Sequence, residues 1–385
     1  VRRRIGESWR DRWLAWRDRL LANPSFRRWA ATFPLTRGVA RRRAARVFDL
    51  VAGFVYSQVL VACVRLRLFA ILAEGPQKLE ALAPRLGLDI AAAERLLSAA
   101  VALELAEHRA GGRFGLGPLG APMVGNPGVA AMVEHHALLY ADLADPVALL
   151  RGESAQPHLA RYWPYAATGE AQASSAAGVA GYSQLMSASQ PLVAEEILAA
   201  IPLRERICLL DVGGGEGTFL VSAARRVPGL RMMLFDLPAV ADRARQKLAA
   251  EGLAARVQVV AGSFHDDPLP LGADIATLIR VLHDHDDAGA LHLLRAVHAA
   301  LPPGGMLVVA EPMAQTVGAE AMGDAYFGFY LLAMGRGRPR SAERITGMLH
   351  EAGFVAVRRR STAMPLQVRL ITAVRPSAKT PVAKT

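Results

Sequence analysis

The feature that most constrains this chain is the run Leu209-Leu210-Asp211-Val212-Gly213-Gly214-Gly215-Glu216-Gly217. An apolar strand enters a glycine-rich turn that opens a helix. Glycine lets a backbone turn that sharply and lets a ligand approach it closely. Twenty-five residues after Asp211, a second apolar run ends in Phe235-Asp236-Leu237-Pro238. An acid at the end of such a strand can accept both hydroxyls of a ribose. The two segments predict a nucleoside site at the carboxyl edge of a sheet. Strands are expected at Ile207–Val212, Arg231–Phe235, Val257–Ala261, Ile275–Val281 and Met306–Ala310. Helical sequence fills the gaps, so the fold class is α/β, a Rossmann-like parallel sheet covered on both faces.

Spacing selects the nucleoside. A dinucleotide fingerprint, Gly-x-Gly-x-x-Gly, needs a glycine where Thr218 stands. Asp211 precedes the turn, where it would crowd a pyrophosphate but suits an ammonium. Both points favour S-adenosylmethionine over a nicotinamide dinucleotide. Further along, Gly262-Ser263-Phe264 follows the third strand, Arg280-Val281-Leu282-His283-Asp284-His285-Asp286-Asp287 the fourth, and Glu311 the fifth. His283 stands where a strand ends, facing the crevice, and is the candidate base. His283 and His285 among acids also form a pattern that metals use. Asp286 and Asp287, however, lie where they would cap a helix starting near Ala288, so no metal is expected.

Charge divides the chain. The net charge is +11, and residues 1–46 alone hold 14 Arg against Glu7, Asp11 and Asp18. The remainder is neutral, so nucleic acid is not implied. The leader holds Ile5, Trp9, Trp13, Trp16 and Leu20 at helical spacing among arginines, a pattern that suits docking on a partner or an anionic membrane surface. Residues 47–74 read as one long buried helix, with Asp49 and Gln58 making it a poor membrane span. Helices at Leu79–Leu86 and Asp89–Leu103 and a hairpin at Arg109–Leu116 then give the order of a winged helix. The second helix carries Glu94, Arg95 and little else that could read a groove, so dimerisation is expected rather than DNA binding. Residues 128–200 read as helical. Cys63 and Cys208 sit in apolar runs, which excludes a disulfide framework and fits a reducing cytoplasm. No apolar core with a cleavage site follows the arginines, which predicts against secretion. The expected divisions are a leader (1–46), a helical winged-helix dimerisation and substrate-lining domain (47–190), a Rossmann-like domain (191–375) and a tail (376–385).

In order, spacing and wording these motifs resemble the class II, caffeate-type O-methyltransferases, over about Val47 to Arg375. The resemblance implies a homodimer that uses S-adenosylmethionine and releases S-adenosylhomocysteine. It implies that Gly213 and Gly215 back the donor, that Asp236 binds its ribose, and that Ser263 and Phe264 flank its adenine; Asp211 and Leu237 beside them complete the expected donor-binding set. Arg280 takes the place of a donor-contacting Lys. Tyr182 and Met186 match the aromatic-and-Met segment over the methyl donor. His283 matches the general base, and Glu311 an acid that orients it. Two positions depart from the family. Ser263 stands where an Asp is usual. Pro339, in Arg336-Gly337-Arg338-Pro339-Arg340-Ser341, falls where the family has a second acid. Base orientation is therefore expected to rest on Glu311 and Asp284.

Within that family, Phe33-Pro34-Leu35-Thr36-Arg37 and Phe48 through Gln58 resemble bacterial carotenoid O-methyltransferases. That implies methyl transfer to the 1-hydroxyl of an acyclic hydroxy-carotenoid, with a phenolic or polyketide acceptor as the alternative. A winged-helix regulator that keeps the donor domain as a sensor is a reading of another class; His283 with Glu311 argues against it. A carotenoid needs an apolar tunnel. Candidates are Met132, Leu138, Leu139, Tyr140, Tyr162, Trp163, Phe327, Phe329, Tyr330, Leu331 and Met334, most of which ordinary core packing would also explain. Such a substrate lives in the bilayer. The leader is accordingly expected to hold a cytoplasmic enzyme peripherally on the inner membrane.

Overall fold

A computed structural model describes residues 9–154, 157–162, 190, 193–363 and 368–377. Tyr182, Met186 and Trp163, and the side chain of Tyr162, lie outside the described residues. The chain divides into two compact units, Val1–Val124 and Gly125–Thr385.

The first unit opens with α1 (Trp9–Ala22) and α2 (Pro24–Thr32). Asn23 caps α2 by accepting hydrogen bonds from the Ser25 and Phe26 amides, with Pro24 preset in the first turn. The next helix, α3, spans Arg37–Arg65, so Arg41, Arg42, Arg43 and Arg46 form its first turns. This helix runs unbroken through the expected 46/47 division. The single buried helix expected over 47–74 is instead two. The chain breaks at Arg67, which takes the left-handed conformation (φ 56°), and α4 follows over Leu68–Ala73. Nor is α3 buried: Leu50 is 85% and Phe54 69% exposed. Its most apolar window has a mean hydropathy of 1.9, so by length and composition α3 is long and apolar enough to cross a membrane. The winged-helix order holds, with helices Leu79–Leu86 and Ile90–Ala102 and strands β1 (Gln77–Lys78), β2 (Ala106–Arg109) and β3 (Arg113–Leu116) in the order β1-β3-β2. Cys63, Leu68, Phe69, Leu82, Leu97 and Phe114 lie in its core, where burial pushes the Cys63 thiol up to about 12.

The second unit is built on a seven-stranded sheet ordered β6-β5-β4-β7-β8-β10-β9. Strands β4 (Cys208–Val212), β5 (Arg231–Asp236), β6 (Val257–Ala261), β7 (Ile275–Ile279) and β8 (Met306–Glu311) run parallel, within two residues of expectation at either end. The sheet is mixed rather than parallel throughout. After the helix Ala342–Glu351, β9 (Val355–Arg360) forms an edge, and β10 (Arg369–Val374) returns between β9 and β8, antiparallel to both. Arg358, Arg359 and Arg360 put charge on that edge, which discourages pairing with another sheet. Two apolar clusters line the sheet, one including Leu210, Leu278, Leu293 and Leu349, the other Leu209, Phe219, Leu220 and Leu234. Chain order reverses at β4, between β5 and β7, which opens a crevice at the carboxyl ends of these strands.

The helices Pro127–Asp142, Pro146–Arg151 and His158–Tyr162 belong to this second unit. The unit boundary therefore lies at Val124/Gly125, ahead of the expected 190/191. The cause is packing: Leu139, Leu149 and Leu159 bury against Tyr330, Leu331, Ala333 and Met334 of the helix Phe327–Met334. For these candidate tunnel residues, core packing is what the structure displays. Truncating Leu331→Ala should leave a cavity there and cost about 2–5 kcal/mol in urea unfolding.

Candidate active site

The site assembles from the carboxyl ends of β4 to β8. Asp211, the penultimate residue of β4, is buried, and Thr277 Oγ1 of the neighbouring β7 donates to its Oδ1 at 2.6 Å. Its other oxygen, Oδ2, is buried with no hydrogen-bond partner. Burial lifts this carboxyl to about 7 against the pull of Thr277, with the nearby Asp236 adding to the rise. Such an orphaned acceptor is costly unless a donor arrives. The glycine turn passes directly over it. Gly213 has φ 69°, and a Cβ on Gly214 would lie 2.8 Å from Asp211 Oδ2.

Asp236 ends β5 with both oxygens engaged. Oδ2 accepts from the Gly215 amide at 2.8 Å and Oδ1 from the Leu237 amide at 2.7 Å. Desolvation nevertheless holds it up at about 6, opposed by those two bonds. Each oxygen keeps a second lone pair. After β6, Ser263 is buried, and its amide donates to Asp267 Oδ2 at 2.9 Å. Asp267 thus returns a carboxylate to the segment where Ser263 lacks one. The Phe264 ring stands 4.4 Å from His265 and, edge-on, 5.0 Å from His285 (centroid distances). Arg280 follows β7 with φ 58°, a strained value for a residue with a Cβ, and its amide donates to Ala310 O at 2.8 Å.

His283 lies between two carboxylates. Glu311 Oε2 is 2.5 Å from its Nδ1, and Asp284 Oδ1 is 3.1 Å from its Nε2. These are close ion pairs whose angles fall outside hydrogen-bond geometry. The remaining Glu311 oxygen, Oε1, accepts from the Val281 and Leu282 amides at 3.0 and 2.8 Å. Burial alone would lower the His283 pKa. Glu311 and then Asp284 outweigh it and raise the imidazole to about 10. The Phe327 ring faces His283 at 6.1 Å.

Three residues near the site, His135, His136 and Tyr326, were not singled out in the sequence, and one partner, Tyr330, was marked there only as a tunnel candidate. His135 Nε2 shares a hydrogen bond with Tyr330 Oη, and His136 Nε2 with Tyr326 Oη, each at 2.8 Å. Burial, with His136 adding, lowers His135 to about 4; burial also lowers His136 and raises Tyr326. Tyr326 closes a π-helical turn, Ala321–Tyr326, a distortion often found at functional sites. Thr277 and Asp267 were likewise unmarked. Only Asp267, four residues beyond Ser263, sits at a spacing that hints at a local return.

Comparison with known proteins places the chain in a family. Residues 140–355 match the O-methyltransferase domain, and residues 48–125 the O-methyltransferase dimerisation domain. The chain is 46% identical over 359 residues to the demethylspheroidene O-methyltransferase of Cereibacter sphaeroides, covering 93% of this chain and 94% of that protein. It is 46% identical over 346 residues to the Rhodobacter capsulatus protein of the same name, covering 89% and 85%. Mouse acetylserotonin O-methyltransferase is 31% identical, covering 83% of this chain and 86% of that one. Among solved structures, the S-adenosylmethionine-dependent methyltransferase SibL superposes with a TM-score of 0.73 at 25% identity, covering 86% of this chain and 99% of that one.

The residues present fit S-adenosylmethionine. Asp211 leaves a buried acceptor that an ammonium could meet, a Cβ on Gly213 or Gly214 would lie 2.8 Å from Val281 or Asp211, and the Asp236 carboxylate at the end of β5 could take a ribose. Gly214→Ala should push a methyl group onto Asp211. Calorimetry is then expected to show S-adenosylhomocysteine affinity falling at least about tenfold, as for about 1.4 kcal/mol of lost contact. The chain belongs to the S-adenosylmethionine-dependent O-methyltransferase family.

Proposed function

We propose that this enzyme methylates the 1-hydroxyl of an acyclic hydroxy-carotenoid, with His283 as general base. The observation that carries the proton-transfer role is the placement of His283 between Glu311 and Asp284 at the crevice. When bound, the donor supplies an electrophilic sulfonium methyl. His283 takes the hydroxyl proton as the C–O bond forms, and the two carboxylates stabilise the imidazolium that results. A tertiary alcohol is close to water, with a pKa of about 15.7, so ionisation in advance by an ordinary imidazole is out of reach. A base raised to about 10 narrows that gap, and transfer concerted with methylation covers the rest.

Two things support the carotenoid. The relatives at 46% identity are named for demethylspheroidene methylation. Beside His283, moreover, stands the apolar Phe327 ring, and the hydroxyls of Tyr326 and Tyr330 on the same helical segment are bonded to His136 and His135. The apolar outer face of α3, with Phe48, Leu50, Val51 and Phe54 exposed, fits a second copy of the chain, in line with the dimerisation match. The exposed Trp9, Trp13 and Trp16 among arginines fit an anionic membrane surface, which would hold a cytoplasmic enzyme peripherally where its substrate resides.

Labelled methyl donor should give product with a 1-hydroxy carotenoid and little with simple phenols; the reverse preference would overturn the acceptor assignment. His283→Ala should cost about 10²–10⁴-fold in kcat. Since the folded imidazole is raised, kcat should climb with pH through neutrality toward about 10. Glu311→Gln removes a carboxylate that favours the charged form, so its acid limb should move to lower pH. Phe54→Asp should yield monomers in sedimentation, whereas an unchanged dimer would exclude this face. Replacing Trp9, Trp13 and Trp16 by Ala should abolish co-sedimentation with phosphatidylglycerol vesicles; unchanged binding would refute the membrane role.

A further inference from the structure

The loop that carries His283 hangs on one buried guanidinium to which the reaction as described gives no part. Arg340 is only 5% exposed. Its Nη1 donates to Leu282 O at 2.7 Å, its Nη2 to His285 O at 2.7 Å, and its Nε to Asp287 Oδ1 at 2.9 Å. The two carbonyls bracket His283 and Asp284 from either side. A buried charge is tolerated only when its donors are well paired. Here one planar fork spans three acceptors on a single turn, which an ammonium group cannot reproduce.

The surrounding backbone follows the same line. The Arg338 amide donates to His283 O at 2.9 Å. Gly337 passes so close that a Cβ would lie 2.5 Å from that same oxygen. Asp287, expected only to cap a helix, is the anchor of the fork. Asp286 alone does the capping, by accepting from the Gly289 amide. Asp287 instead pairs with Arg338, Arg340 and Arg344, and these hold its carboxyl far below the usual range against the opposing effect of burial. Leu282 is thus gripped from both sides, its amide by Glu311 and its carbonyl by Arg340.

We propose that Arg340, seated on Asp287, is a positioning residue that fixes the His283 ring between Glu311 and Asp284 by holding the carbonyls of Leu282 and His285. Pro339 provides no acid to reach the ring. Its neighbours Arg338 and Arg340 reach the base from the carbonyl side of its loop instead. The inference rests on the reading of His283 as base.

The test uses the full-length enzyme with Arg340→Met, Arg340→Lys and Asp287→Asn. The readouts are kcat and its pH profile, KM for each substrate, calorimetric donor affinity and thermal melting. A misplacement of about 1 Å can cost on the order of 100-fold. Arg340→Met should therefore lose about 10- to 100-fold in kcat with donor affinity within about twofold. Its acid limb should shift to lower pH, because His283 leaves its carboxylates. Arg340→Lys should recover part of the loss, and Asp287→Asn should move both readouts the same way. Adding His283→Ala to Arg340→Met should cost less than it does alone, since the two act through one group. A folded Arg340→Met enzyme with wild-type kcat and pH limb would overturn the proposal. If Arg340→Met fails to fold, an unshifted pH limb in both Arg340→Lys and Asp287→Asn would do the same. Full activity in His283→Ala would instead overturn the base assignment, a distinguishable result.

Discussion

The Glu311 carboxylate is the interaction on which the rest of the site depends. One oxygen receives the amides of Val281 and Leu282, and the other meets His283 Nδ1. A single buried group at the end of β8 therefore fixes both the path of the chain leaving β7 and the imidazole that chain carries. The register that pairs Ile279 with Ala310 brings these two strand ends level. Arg340 completes the arrangement from the carbonyl side of the loop. The sheet supplies rigidity, the carboxylate supplies charge, and the loop between them has little freedom left.

That charge decides what kind of base His283 would make. Desolvation would favour a neutral ring, and two nearby carboxylates favour the imidazolium; the carboxylates win. The cost is a small neutral population at pH 7. The gain is that the charge formed during transfer is already solvated by groups that need not reorganise. An acceptor far less acidic than a phenol benefits most from such a base. There is also a consequence for folding. The raised folded pKa contributes stability that is full below the ordinary histidine value of about 6.5 and is lost as pH rises through about 10.

Much of this was legible in the sequence where the signal is local. The strand-turn-helix run at Leu209–Gly217 and the acid of Phe235-Asp236 read as neighbours at the strand ends, where Asp236 does meet the Gly215 amide, and strand-end positions marked His283 and Glu311. Partners distant along the chain were not legible. Nothing near Asp211 points to Thr277, 66 residues on, and nothing near His135 points to Tyr330. Asp287 looked like a cap because its neighbour Asp286 is one. Its own role needs three arginines more than fifty residues away. The hairpin that makes the sheet mixed was lost because arginine-rich β9 does not read as a strand. The long helix over 47–74 was expected to be buried because its composition is apolar. Composition cannot tell a core helix from one whose apolar side chains stand exposed.

The most direct test of the central claim is an NMR titration of His283 with the imidazole nitrogens labelled, in the folded enzyme without substrate. The structure predicts imidazolium shifts that persist through neutrality and give way only toward about pH 10, and an earlier midpoint in Glu311→Gln. A midpoint near 6.5 that Glu311→Gln leaves unmoved would contradict the account.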